Sequence, residues 1–212
     1  MLNQGDLLSI LQLGTGLFWI IAYMLIIKRG FQDKNYGMPM VAICANISWE
    51  FIFTFIFRHT GPQEMITLIW FLLDIIILMQ YLIYGRKENK SAISSKYFYS
   101  SFLLALAVSF LIIMAMTYEF NDVEGKYAAF SQNLMMSVLF ISLLLRRGNL
   151  SGQSMSIAIF KMLGSLFAGI AFYIYFRTEL ITILSIATFI YDMIYIFLLR
   201  KFYRRNRRKF AI

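Results

Sequence analysis

Three acids, Glu50, Asp74 and Asp192, sit inside long apolar runs, where a carboxyl group is expensive. An ionisable side chain at membrane depth costs at least about 2.5–3.5 kcal/mol on insertion scales, so each is a functional candidate. Three charged carboxylates in hydrocarbon would be prohibitive. At least one is therefore expected to keep its proton at neutral pH, because burial and like-charge neighbours both disfavour ionisation. A protonated carboxylic acid in a dry pocket is a proton donor, and the chemistry it suggests is general acid catalysis. The bland reading is that such acids only hydrogen-bond a neighbouring helix, and for Asp74 it weighs as much as the functional one.

Polar and aromatic residues keep company with these acids. Asn46 precedes Glu50 by four residues and so shares its helical face, with Trp49 adjacent. Trp70 precedes Asp74 by four, and Tyr195 follows Asp192 by three. Gln132 and Asn133 fall near the start of another apolar run. Rings around an acid can stabilise a passing cation through their π faces. Aromatics also fill membrane helices and interfacial belts, and most of the 21 Phe are expected to do only that.

The elements that position these residues are membrane helices. The chain has 212 residues, 60% hydrophobic and only 15% charged, which is far too little charge for a soluble domain of this length. Seven spans are expected, near 7–28, 37–57, 63–84, 97–117, 126–145, 154–176 and 180–200, each of about the 20 residues that cross the hydrocarbon. Short loops make residues 1–212 a single all-α, polytopic membrane domain, a seven-transmembrane-helix bundle. The N-terminus lacks a basic leader, and the first apolar run is long enough to remain as a helix. Counted from one face at 1.5 Å per residue, Glu50, Asp74 and Asp192 lie at depths of roughly 10, 16 and 18 Å, close enough to line one cavity.

Orientation follows from the basic residues. Lys28, Arg29 and Lys34 follow span 1; Arg86, Lys87, Lys90 and Lys96 follow span 3; Arg146 and Arg147 follow span 5. Seven of the twenty basic residues lie in the tail 200–212. All of these fall on one side, which places the N-terminus outside and the C-terminus in the cytoplasm. The net charge of +9 therefore points to anionic lipid head groups at the tail, and not to nucleic acid. The expected location is a bacterial inner (plasma) membrane.

Other chemistries lack their residues. The single cysteine, Cys44, allows neither an internal disulfide nor a Cys-based metal cluster and reads as a small apolar helix residue. There is no HExxH, no Gly-rich phosphate loop, no DDxxD and no DxDD. The one histidine, His59, reads as an interfacial loop residue. Span 7 has no lysine for a Schiff base, and Lys161 is expected to snorkel from the cytoplasmic end of span 6. No metal ligand set and no cofactor are expected.

Five stretches then carry a resemblance: "YGMPMVAICANISWEFIF" (36–53), "WFLLD" (70–74), "SQNLMMSVLFISLLLRRG" (131–148), "GQSMSIAIFKMLGS" (152–165) and "YDMIYIFLL" (191–199). Together they resemble the integral-membrane terpene cyclases of fungal and bacterial meroterpenoid and indole-terpenoid pathways. The resemblance implies seven helices, no metal, and catalytic roles for Glu50 and Asp192. Lys161 stands where it leads one to expect an arginine. The expected activity is closure of a prenyl chain, of farnesyl length and carried on an aromatic or other polar head, after protonation of its terminal epoxide or alkene. Glu50 is the expected proton donor, since its neighbourhood is the more apolar. Asn46, Trp49, Trp70, Asp74, Asn133 and Tyr195 are the expected substrate contacts. Two other classes stay open: a small proton-coupled transporter using the acids as a relay, and a structural membrane subunit.

Overall fold

The structure, a computed structural model, describes residues 4–88 and 96–209, with side chains described over 5–88 and 96–205. Lys90 and residues 210–212 of the basic tail lie outside the described residues. Among the described residues the chain is all helix, without strands. The elements are α1 (Gln4–Asp33), α2 (Met40–Phe51) continued by a π-helical turn (Ile52–Ile56), α3 (Pro62–Glu88), α4 (Phe98–Glu119), α5 (Lys126–Arg147), α6 (Met155–Tyr175) and α7 (Glu179–Lys209). Six of these helices are long and apolar enough to cross a membrane. The seventh expected span, 37–57, is the exception: its helix covers only Met40–Ile56 and falls in a shorter class. α7 also runs past the expected end at 200, so the described part of the basic tail continues the helix.

The shortness of α2 has a packing reason. Every residue from Ala42 to Glu50 is buried, and a helix that is apolar all round belongs in the centre of a bundle. α2 packs on α3, α4 and α5, while α1 packs on α3 and α6, and α7 closes against α5 and α6. Pro39 caps the start of α2 in an extended conformation, and Pro62 opens α3, the position where its missing N–H costs nothing. After Glu50 the helix widens, and the Phe57 N–H bonds back five residues to the Ile52 carbonyl at 2.9 Å. Such π-turns are a known way to break the register of a helix locally.

The bundle has two different ends. One carries the turns at 57–61 and 120–125. The other carries 34–39 and 148–154, and it is held by Arg147. That guanidinium pairs with Glu88 at 2.7 Å, donates to the carbonyls of Tyr36 and Ser151 at 2.9 and 2.8 Å, and lies over the Tyr36 ring. Planar, multiply donating recognition of this kind is what arginine does and lysine does not. Between the ends lies a core of buried aliphatic and aromatic side chains from all seven helices, including Tyr23, Ile43, Ile77, Phe102, Phe140, Ile157 and Tyr195.

Candidate active site

Glu50 is 2% exposed, yet its carboxyl borders an internal chamber. Tyr23 on α1 donates its hydroxyl hydrogen to Glu50 Oε1 at 3.1 Å. Asn46, one turn before Glu50, donates from Nδ2 to the Tyr23 oxygen. That second bond fixes the direction of the first: with its oxygen already accepting, the phenol turns its hydrogen to the acid. Glu50 Oε2 is buried without a hydrogen-bond partner. Behind Glu50, Asp74 is fully buried on α3, set against both Glu50 and Asn46. Neither Asp74 oxygen has a partner of its own.

The chamber has a volume of about 100 Å³. All three tryptophans of the chain, Trp19, Trp49 and Trp70, form its walls with Phe130. The indole N–H groups of Trp49 and Trp70 are spent on backbone carbonyls, Gly125 at 2.8 Å and Gly16 at 3.4 Å. This fixes both rings in place. Two glycines allow the approach. A Cβ on Gly164 would meet Trp19 Cδ1 at 2.6 Å, and one on Gly125, whose φ is +68°, would run into Phe53 and into Trp49 Nε1.

The chamber opens toward the 57–61 and 120–125 turns through a second, larger cavity of about 650 Å³, with Thr15, Trp49, Trp70 and Phe130 bordering both. Its mouth carries Gln12, Arg58, Gln63 and Lys126. His59 also lines it, but is tied into the wall: Nδ1 faces Thr67 Oγ1 at 3.0 Å, Nε2 faces the Glu124 carbonyl at 3.1 Å, and the ring stacks on Phe53. Burial holds its protonation below the ordinary histidine range, against the weaker opposing pull of Glu124.

Asp192 is elsewhere. It borders neither cavity, and it forms an ion pair with Lys161 at 2.8 Å in which both side chains are almost fully buried. Lys161 does not snorkel, as the sequence led us to expect; it is 1% exposed. Its ammonium also donates to Ser137 Oγ at 2.6 Å and Asn133 Oδ1 at 3.3 Å, and lies 5.7 Å from the centre of the Trp19 ring. Asn133 is in the chamber wall, so the pair reaches the chamber through that amide and that indole.

The structure thus brings Glu50, Asn46, Trp49, Trp70 and Asn133 to one chamber, places Asp74 directly behind it, and sets Asp192 one residue removed. Tyr195 is turned away: its hydroxyl donates to Gln153 Oε1 at 3.0 Å and its ring packs on Phe140. It follows Asp192 by three residues, but on a helix that leaves about 60° between the two side chains, enough to direct them to different neighbours. Sequence reasoning missed Tyr23 and Trp19. Tyr23 is one of thirteen tyrosines and carries no distinguishing signal. The Lys161–Asp192 pair did carry one: a basic residue deep in one apolar run needs an acid in another. Among the described residues no three or more His, Cys, Asp or Glu gather as a metal site would require.

Comparison with known proteins shows the family of the chain. The family model of Pyr4-like transmembrane terpene cyclases matches residues 2–205. Among curated proteins, the chain is 30% identical over 208 residues to the Pyr4-family terpene cyclase mfmH of Annulohypoxylon moriforme, covering 92% of this chain and 86% of that one. It is 26% identical to the terpene cyclase macJ of Penicillium terrestre, over 75% of this chain and 64% of the relative. It is 24% identical to the terpene cyclase pyr4 of Aspergillus fumigatus, over 74% and 67%. No solved structure matches. These relatives are fungal, which corrects the expectation of a bacterial inner membrane; a multi-pass membrane protein is what they support. With the family model matched across nearly its whole length, the chain belongs to the Pyr4-like transmembrane terpene cyclases.

Proposed function

We propose that this protein is an intramembrane, proton-initiated cyclase of a prenyl chain, with Glu50 as the general acid. One observation carries the reading: a buried carboxyl, already hydrogen-bonded on one oxygen, presents itself to a small chamber walled by three indoles. A carbocation has no hydrogen-bonding handle, so fixed π faces and fixed dipoles are the means of stabilising it. The indoles of Trp19, Trp49 and Trp70 and the ring of Phe130 supply the faces. They are held before the cation exists, so none of the stabilisation is lost to reorganisation.

The steps follow from the two cavities. The prenyl chain enters with its terminal epoxide or alkene leading and reaches Glu50 in the chamber. Its polar or aromatic head stays in the larger cavity, among Gln12, Gln63 and Lys126. Glu50 transfers its proton, and the positive charge moves through the folded chain as rings close. Loss of a proton from carbon ends the reaction, so the overall change is an isomerisation. A farnesyl chain is the length we favour. Asp192, paired with Lys161, acts as a fixed counter-anion that holds Lys161 and, through it, Asn133. The balance of charge in that pair leaves protonation to Glu50.

In the membrane we place the mouth at the outer face and the basic end, with Arg146, Arg147 and the described tail, at the cytoplasmic face against anionic head groups. α2 with its π-turn then serves as the seventh span. The reading is tested by mass spectrometry on membranes carrying the chain, offered farnesylated aromatics with and without a terminal epoxide. A new isomer that disappears in Glu50→Gln supports it. Wild-type turnover by Glu50→Gln would sink it.

A further inference from the structure

Glu50 and Asp74 are two carboxyl groups in contact, both buried, with no cation to share between them. Among the described residues the ion pairs go elsewhere: Lys161 to Asp192, Arg147 to Glu88, Arg29 to Asp33 and Arg58 to Glu64. The Tyr23 hydroxyl donates to Glu50 Oε1, and the Asn46 amide lies beside Asp74. Three oxygens, Glu50 Oε2 and both of Asp74, are left without a donor. Asp74 does not border the chamber, so substrate touches only the front member. Its place is not an accident of loop geometry. Trp70 and Asp74 lie one turn apart on α3 as Asn46 and Glu50 do on α2, and the two helices pack directly.

Two like charges at such close quarters do not coexist in a dry site, so a carboxyl pair of this kind retains protons and titrates as a unit. The consequence for an acid catalyst is specific. If Asp74 were a carboxylate, Glu50 could give up its proton only by creating a second anion beside the first. We propose that Asp74 is a proton-holding partner of the catalytic acid: it keeps its own proton, and its O–H is the hydrogen bond that stabilises the Glu50 carboxylate as that carboxylate forms. In the step, the Glu50 O–H bond breaks and a new O–H bond forms on the epoxide oxygen, or a C–H bond on the alkene carbon. The positive charge passes to the substrate, and Glu50 is left as an anion held by two donors, Tyr23 and Asp74. The proton lost from carbon at the end of the reaction restores the pair. Asp74 acts through Glu50, so it is a positioning residue and not a substrate contact as the sequence suggested.

This inference rests on Glu50 being the acid, and its test reads the pair without needing turnover. Infrared spectra of the whole protein in membranes, with aspartate or glutamate ¹³C-labelled at the side-chain carboxyl, report protonated carboxyls through their C=O stretch. The expected result at neutral pH is one protonated band that shifts with labelled aspartate and vanishes in Asp74→Asn, and another that shifts with labelled glutamate and vanishes in Glu50→Gln. Absence of the aspartate band in the wild-type protein overturns the proposal. Activity supplies the second arm. Asp74→Asn can still give an N–H to Glu50 and is expected to keep kcat within about tenfold. Asp74→Leu gives none and is expected to lose roughly 10²–10³-fold in kcat with little change in KM. Equal rates for the two variants, each checked by thermal melting for a folded bundle, also overturn it. Both bands present, with Glu50→Gln fully active, would leave the pair standing and remove the cyclase mechanism instead.

Discussion

Replacing Lys161 by methionine strands a charge, and the size of the effect can be worked from the site. The Lys161 ammonium has three partners: Asp192 at 2.8 Å, Ser137 at 2.6 Å and Asn133 at 3.3 Å. Ser137 keeps a bond to the Asn133 carbonyl at 3.0 Å and Asn133 keeps Ser165 at 2.9 Å, so both are still partnered after the change. The loss falls on Asp192, which is 1% exposed and whose second oxygen already lacks a donor. Removing one member of a buried ion pair costs about 3–5 kcal/mol. Replacing both by apolar side chains of similar volume, Lys161→Met with Asp192→Leu, is expected to restore stability to within about 1 kcal/mol of wild type or above it. Unfolding of the purified protein in mixed detergent micelles, run as a double-mutant cycle, measures both numbers. The double variant should fold yet cyclise poorly, because Asn133 loses the ammonium that fixes it. A single-variant cost under about 1 kcal/mol would mean that the pair is solvated, and a double variant as unstable as the single one would mean that charge is not what holds the site.

Three other outcomes follow. Tyr23→Phe removes the donor to Glu50 Oε1 and leaves the Asn46 amide without its acceptor; kcat should fall roughly 10–100-fold, the worth of a hydrogen bond to a charged group, with the fold intact by melting. Gly125→Ala places a Cβ at a positive φ and against Trp49 Nε1, so about 1–2 kcal/mol of stability should be lost and the product mixture should change as Trp49 moves, read by chromatography of the isomers. His59 binds its proton less readily folded than unfolded, because it is buried. Its contribution to stability is therefore present above the ordinary histidine range and shrinks as pH falls through about 6.5, where the unfolded chain begins to take up the proton. Melting temperature against pH should show this slope, and His59→Gln should flatten it.

The acids were legible because a charge in an apolar run is conspicuous; Asn46 and Trp70 were legible because helical spacing puts i and i+4 on one face, and Trp49 because it adjoins Glu50. Each of these three ends at the chamber. What the spacing cannot supply is the identity of the helix opposite. Tyr23 reaches Glu50 across the packing of two helices, and nothing in α1 marks it from the tyrosines that face lipid. Lys161 was misread because depth along the chain was taken as depth from water, whereas the residue faces inward on α6, toward α5 and α7. The expected span 37–57 is met by a shorter apolar helix, Met40–Ile56, because the turn at 57–61 begins within it.

The π-turn after Glu50 divides the two tasks that a cyclase must perform. Up to that turn, α2 is buried from Ala42 to Glu50, and the acid with its supports sits on helix. Beyond it, the wall of the larger cavity is made in part by connecting segments, 57–60 and 123–124, in which Arg58, Thr60, Val123 and Glu124 are exposed. In the proposed reaction, a substitution there is expected to reshape the mould around the chain and to leave protonation by Glu50 in place. On that reading, changes in two turns are expected to alter the ring system formed while the acid keeps its supports.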